Sequence, residues 1–208
     1  NFKPFTLNHA TFELQSGMLT NLERIISLYG EKHEYILLVR KEIEDIVRFR
    51  FPNYIVNPQI IPNGKYINGR FLLKGELDLN LLPDEPSNDN LIDDNLISFS
   101  YIWDPIFKFK KIFTEDFSNF NYQKDIKISE SSNIKEGVIL DSSNGPILIS
   151  DNVTIDIGAM LQGPLFIDKN AYVAPGAKIR PGTMIGENCK VGGEISNSIF
   201  YKNSNKVH

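Results

Sequence analysis

The 208-residue chain holds three histidines and one cysteine, so side chains able to move protons near neutrality or attack a substrate are few. An imidazole titrates near neutral pH and suits acid–base work; His208 stands after the polar run Tyr201-Lys-Asn-Ser-Asn-Lys-Val207. A guanidinium is a fixed fork that suits a phosphate, and Arg180 opens the corner Arg180-Pro-Gly182. By type and place alone, each has a plain structural reading as well: His208 as an exposed residue, Arg180 as a corner residue, Lys206 as a solvated surface lysine. His9 and His33 fall in no catalytic pattern and read as structural or surface residues. Cys189 stands in a column of small residues and reads as buried filler, not as a nucleophile.

Composition narrows the classes. Lys+Arg number 22 against 26 Asp+Glu, a formal net charge of −4, whereas a general nucleic-acid binder is normally basic. One cysteine excludes an intrachain disulfide framework and a multi-cysteine zinc site. No run approaches the ~18 apolar residues of a membrane helix. No charged leader precedes an apolar stretch, so a cytoplasmic address without membrane or nucleic-acid partners is expected. The chain opens at Asn1 and stops at His208, as a fragment would.

The elements that must position these residues fall into two halves. From Ile149 an aliphatic residue recurs every six positions: Ile149, Ile155, Leu161, Ile167, Val173, Ile179, Ile185 and Val191. Three positions after the first seven anchors stand Asn152, Gly158, Pro164, Asn170, Gly176, Gly182 and Asn188, all but one a residue that tolerates φ > 0. The next column, Val153, Ala159, Leu165, Ala171, Ala177, Thr183 and Cys189, is mostly small. Three columns on one period predict a parallel β-helix of hexapeptide repeats over 125–208, each hexad a short strand plus a turn. The spacing extends back to Ile128, Ile134 and Leu140, with a three-residue slip around Asn144-Gly145-Pro146. Those eleven anchors make somewhat under four triangular coils. A β-sandwich offers no reason for a period of six with Gly and Asn in register.

Residues 1–124 follow other rules. Leu22, Ile25, Ile26 and Tyr29 share one helical face, and Ile43, Ile46 and Val47 mark a second helix. Glu34–Arg40 and Asn53–Asn57 read as strands, which together predict an α/β domain with at least one βαβ unit. Pro83–Asn95 is acidic and rich in breakers, hence a surface loop. Ile106, Phe109, Phe113 and Phe117 form a helical stripe leading to a domain boundary between about 118 and 127.

An α/β domain followed by hexapeptide coils resembles the sugar-nucleotidyltransferase/acyltransferase group. In particular it is similar to the bifunctional N-acetylglucosamine-1-phosphate uridyltransferase/glucosamine-1-phosphate acetyltransferase and its divergent bacterial relatives. The resemblance rests on Ala177-Lys-Ile-Arg-Pro-Gly-Thr183 and on Val191-Gly-Gly-Glu-Ile-Ser-Asn-Ser-Ile-Phe-Tyr-Lys-Asn-Ser-Asn-Lys-Val-His208, with a looser match at Pro4-Phe-Thr6 and Gly17-Met-Leu-Thr20. It implies a left-handed β-helix that uses acetyl-CoA to acetylate the amine of an amino-sugar 1-phosphate. His208 would be the general base, Arg180 would hold the sugar phosphate, and Lys206 would add charge beside it. It implies an α/β domain, nucleotidyltransferase-like, that takes a nucleoside triphosphate with Mg²⁺ if nucleotidyl transfer is active. It also implies a homotrimer with sites between adjacent β-helices.

The chain departs from that pattern in places. The family's phosphate-binding lysine after the glutamate falls at Ser196, and no glycine-rich GGxGTRL loop is present. The strand expected to end in a metal-binding aspartate ends Val56-Asn57-Pro58, and an amide is a poor substitute for a carboxylate on Mg²⁺. Two other readings therefore stand beside the acetyltransferase: a sugar-1-phosphate nucleotidyltransferase only, and a non-catalytic trimerising β-helix scaffold.

Overall fold

Short strands separated by corners of positive φ close into a three-sided coil, and a computed structural model, described for residues 2–30, 32–87, 93–119 and 126–207, shows that coil. Three parallel sheets run along it. The first holds Ile126–Ile128, Ile147–Ile149, Leu165–Ile167, Thr183–Ile185 and Ile199–Phe200. The second holds Asn133–Ile134, Thr154–Ile155, Tyr172–Val173, Lys190–Val191 and Asn205–Lys206. The third holds Ile139–Asp141, Met160–Gln162, Lys178–Ile179 and Glu194–Ile195.

Every aliphatic anchor of the six-residue period lies in a ladder with anchors of neighbouring coils. Ile149, Ile167 and Ile185 stack in the first sheet, Ile155, Val173 and Val191 in the second, Leu161 and Ile179 in the third. They form one buried core with the small column from Val153 to Cys189, in which Ala159, Ala171 and Ala177 leave room at the corners. All six Gly or Asn corner residues have positive φ, from 57° at Asn152 to 74° at Gly182, which other L-residues adopt only at a cost.

The coil length varies, and that corrects the count of coils. Ile149 to Ile167 to Ile185 is the regular eighteen-residue step, but Ile128 pairs with Ile149 twenty-one residues on. The insertion turns at Gly145, and a Cβ on Gly163 would sit 2.1 Å from the Gly145 carbonyl oxygen, so only glycine fits there. Past Val191 the coil contracts, and Ile185 pairs with Phe200 only fifteen residues later. The period of six is lost there, although Ile195, Phe200 and Lys206 continue the ladders. Among the described residues there are four complete turns and two strands of a fifth, not somewhat under four.

The rest of the chain belongs mainly to a second unit. Two compact units are present, Asn1–Lys108 and Phe109–His208. The first contains β1 (Gln15–Ser16), β2 (Leu19–Thr20), α1 (Asn21–Tyr29), β3 (Ile36–Leu37), α2 (Glu44–Arg50), β4 (Ile55–Val56), β5 (Phe71–Leu73) and β6 (Leu96–Ser98). A capping box between Thr20 and Glu23 starts α1. Leu22 and Ile25 are buried on its inner face. The expected βαβ unit is present: β3 and β4 pair in parallel, Ile36 with Ile55 and Leu37 with Val56, with α2 between them.

The strands of this unit are much shorter than their apolar runs. Its other pairs are antiparallel, β1 with β2 and β5 with β6, and among the described residues no sheet of the unit exceeds two strands. A wide α/β sheet is therefore not shown. Ile46 is 38% exposed while Ile43 and Val47 are buried, so the inner face of α2 is narrower than expected. In α3 (Asp104–Asn119) the buried stripe is Phe109, Ile112, Phe113 and Phe117; Ile106 points to solvent. The unit division falls inside α3, ahead of the 118–127 stretch. Of the expected loop at 83–95, residues 88–92 lie outside the described residues. No helix among the described residues is long and apolar enough to cross a membrane.

Candidate functional site

The motif residues collect around one corner of the β-helix, the turn Val191-Gly-Gly-Glu-Ile195 between the second and third sheets. On its third-sheet side the ladder carries the Arg180 N–H to the Ile195 carbonyl at 2.8 Å. This places the Arg180 side chain beside Glu194, and its Nε donates to Glu194 Oε1 at 2.5 Å. About half of each side chain remains exposed. The hydrogen bond and charge of Arg180, with the charge of Lys178, hold the Glu194 carboxyl below the usual glutamate range. A carboxyl lowered on folding adds stability above its ordinary pKa and loses it as pH falls through the lowered value. With both side chains in solvent that contribution is small.

On the second-sheet side, Lys206 is in register with Val191, the inward anchor column. It is half-buried rather than solvated, and its ammonium donates to the Gly192 carbonyl at 2.9 Å. Gly192 is crossed closely by the next coil: a Cβ there would lie 2.7 Å from the Val207 carbonyl oxygen. Arg180 and Lys206 thus flank the same turn from two sheets, and the Val207 backbone passes over Gly192. His208 itself lies outside the described residues. Ser196 is exposed, and its carbonyl accepts from Ser198 Oγ; a hydroxymethyl there cannot supply the ammonium charge of a lysine.

Other nearby groups are unsuited to proton transfer near neutrality. Cys189 is buried with its Sγ 3.0 Å from the Tyr201 carbonyl, and burial pushes its thiol pKa up. Burial raises the Tyr201 phenol to about 12. Between 178 and 207 the sequence holds Lys178, Arg180, Lys190, Lys202 and Lys206 against Glu187 and Glu194, a local positive excess in an acidic chain. Glu194 was the residue that single-position reading passed over: it stands in the quoted motif, but its pairing with Arg180 depends on the contracted coil.

Among the described residues, the first unit offers no comparable fit for a divalent cation. Asn57 (φ 46°) uses its amide on the neighbouring strand end: Oδ1 accepts from the Val39 N–H at 2.8 Å, and Nδ2 donates to the Val39 carbonyl at 2.9 Å. Nδ2 also donates to Glu44 at 3.1 Å, which with Lys41 keeps that carboxyl below the glutamate range. The amide is a clamp between strand ends, not a vacant metal ligand, and no catalytic step is derived through Mg²⁺. Among the described residues no group of three or more His, Cys, Asp or Glu is placed to hold a metal ion. Asn57→Asp is expected to destabilise the chain by about 1–3 kcal/mol, because it leaves the Val39 carbonyl without its donor and sets a carboxylate against Glu44. Urea denaturation of the two proteins checks this.

No family model matches the chain. Over 82 residues it is 38% identical to an uncharacterized acetyltransferase, YaiX, of Escherichia coli O6:K15:H31 (strain 536 / UPEC). The match spans 38% of this chain and 36% of that protein, little more than a third of the relative's length. The chain is thus a parallel β-helix protein with local similarity to an acetyltransferase.

Proposed function

We propose that this chain is part of an acetyl-CoA-dependent acyltransferase whose acceptor is the amine of an amino-sugar 1-phosphate. The observation that carries the acyl-transfer reading is the similarity to an acetyltransferase, borne on a chain with a parallel β-helix. The finer assignment, to amino-sugar phosphates, rests on the motif residues around the Val191–Ile195 turn. Arg180, held at Nε by Glu194, would take the phosphate on its outer edge. His208 would accept the proton of the attacking amine. The new N–C bond forms as the C–S bond of the thioester breaks, and the proton passes to the departing thiolate. Lys206, tied to the Gly192 carbonyl, holds the turn in place and adds positive charge behind it.

Two further proposals attach to this reading. Ile139 and Met160 are outward neighbours in the third sheet, and with Ile157 they stay exposed. These apolar side chains support association of β-helices, which fits a homotrimer and also favours the scaffold reading. Nucleotidyl transfer by the first unit gains no support from Asn57.

The test is release of free thiol from acetyl-CoA by the full-length protein with glucosamine 1-phosphate, against glucosamine as control. Turnover that needs the phosphate is the expected result. No release with any amino-sugar 1-phosphate would overturn the acceptor assignment, and none with any amine would leave the scaffold reading.

A further inference from the structure

We propose that the start of α3 is an interface between two copies of this chain. Within residues 101–107, Tyr101 is 52% exposed, Trp103 49%, Ile106 66% and Phe107 81%. The backbone beneath them is well tied. Asp104 Oδ2 accepts from the N–H groups of Ser100 at 2.6 Å and Tyr101 at 2.9 Å, and the N–H groups of Ile106 and Phe107 donate to the Trp103 carbonyl at 3.0 and 3.1 Å. The rings of Tyr101 and Trp103 stack at 4.8 Å between centroids and 5° between planes. A patch this rigid loses little conformational freedom on association.

Area decides the occupant. With 150–250 Å² available from an aromatic side chain, the four residues present on the order of 500 Å². A two-fold pairing of the patch with itself removes about 1,000 Å² from water, the lower limit for a specific interface. Asp104, the charge within the patch, already accepts from the N–H groups of Ser100 and Tyr101, so a second copy adds matching apolar area while each carboxylate keeps its partners.

Trp103 is the single tryptophan of the chain, so its emission reports on this patch and not on contacts of the β-helix. In a concentration series of the full chain, sedimentation velocity and tryptophan emission are expected to change together, the emission moving to shorter wavelength as the mass rises above 23.7 kDa. Phe107→Glu is expected to weaken this association ~30-fold or more, since a central aromatic is lost twice across a two-fold. Phe107→Ser serves in its place if the glutamate variant shows an altered far-ultraviolet spectrum. A monomer at all concentrations overturns the proposal. So does association that leaves Trp103 emission, or the response to both variants, unchanged. A blue shift with phosphatidylserine vesicles alone would assign the patch to lipid and overturn it equally.

Discussion

In the full-length protein, His208→Ala is expected to lower acetyl-CoA turnover by ~10²–10⁴-fold, the usual worth of a positioned general base. The loss should fall on kcat, with the KM for the amino-sugar phosphate little changed, because the imidazole acts on the proton lost in the transition state and not on the phosphate. The acidic limb of the pH–rate profile that reports an ionisation near neutrality should disappear with it. Two observations make this residue the one to test. The Val207 carbonyl passes close over Gly192, in the turn whose Glu194 pairs with Arg180 of the neighbouring strand. The buried Cys189 thiol and Tyr201 phenol are both pushed upward and stay protonated near neutrality. A variant with full turnover and an unchanged melting curve would remove His208 from the mechanism and leave the base to be found elsewhere.

The largest stability effect is expected inside the coil. Leu161 is fully buried, stacked between Leu140 and Ile179, while its neighbour Met160 points out and is 41% exposed. Leu161→Ala is expected to cost about 2–5 kcal/mol, because the ladders above and below prevent the site from collapsing around the lost methyl groups. Met160→Ala should change stability by less than about 0.5 kcal/mol. Guanidinium denaturation of both variants measures the contrast. Equal midpoints would mean that the third sheet is not packed as described. Each coil contacts only its neighbours, so the leucine variant should also raise amide exchange most strongly in the coils on either side.

The β-helix was readable from residue types alone for a physical reason. Inward anchors, positive-φ corners and small corner-fillers each tolerate a narrow set of side chains, and a coil that repeats its geometry repeats its constraints in register. Ile155, Asn170 and Ala177 each state one of those constraints, and each is found where the period places it. Cys189 was readable as filler by the same logic. The signal failed where the geometry itself changed: once the coil shortened after Val191, Ile195 and Phe200 fell out of the period though they remained in the ladders. The N-terminal half was harder. The run around Ile36 and Leu37 is apolar enough for a longer strand, yet Val39 is held by the Asn57 side chain instead of a partner strand. Such a clamp between residues eighteen positions apart leaves no periodic trace.

The sequence by itself thus determined the architecture of residues 126–191 and the chemical character of Arg180, Lys206 and His208. Those depend on local backbone sterics and side-chain type, both written residue by residue. Only the tertiary structure decided which of these groups meet. It set Glu194 against the Arg180 Nε, turned Lys206 into the anchor column toward Gly192, and left Ile106 in solvent while burying Ile112. Each of those outcomes depends on the register of one coil against the next or on which helix face finds cover. Registers and cover arise from contacts between distant residues, which no single stretch of the chain contains.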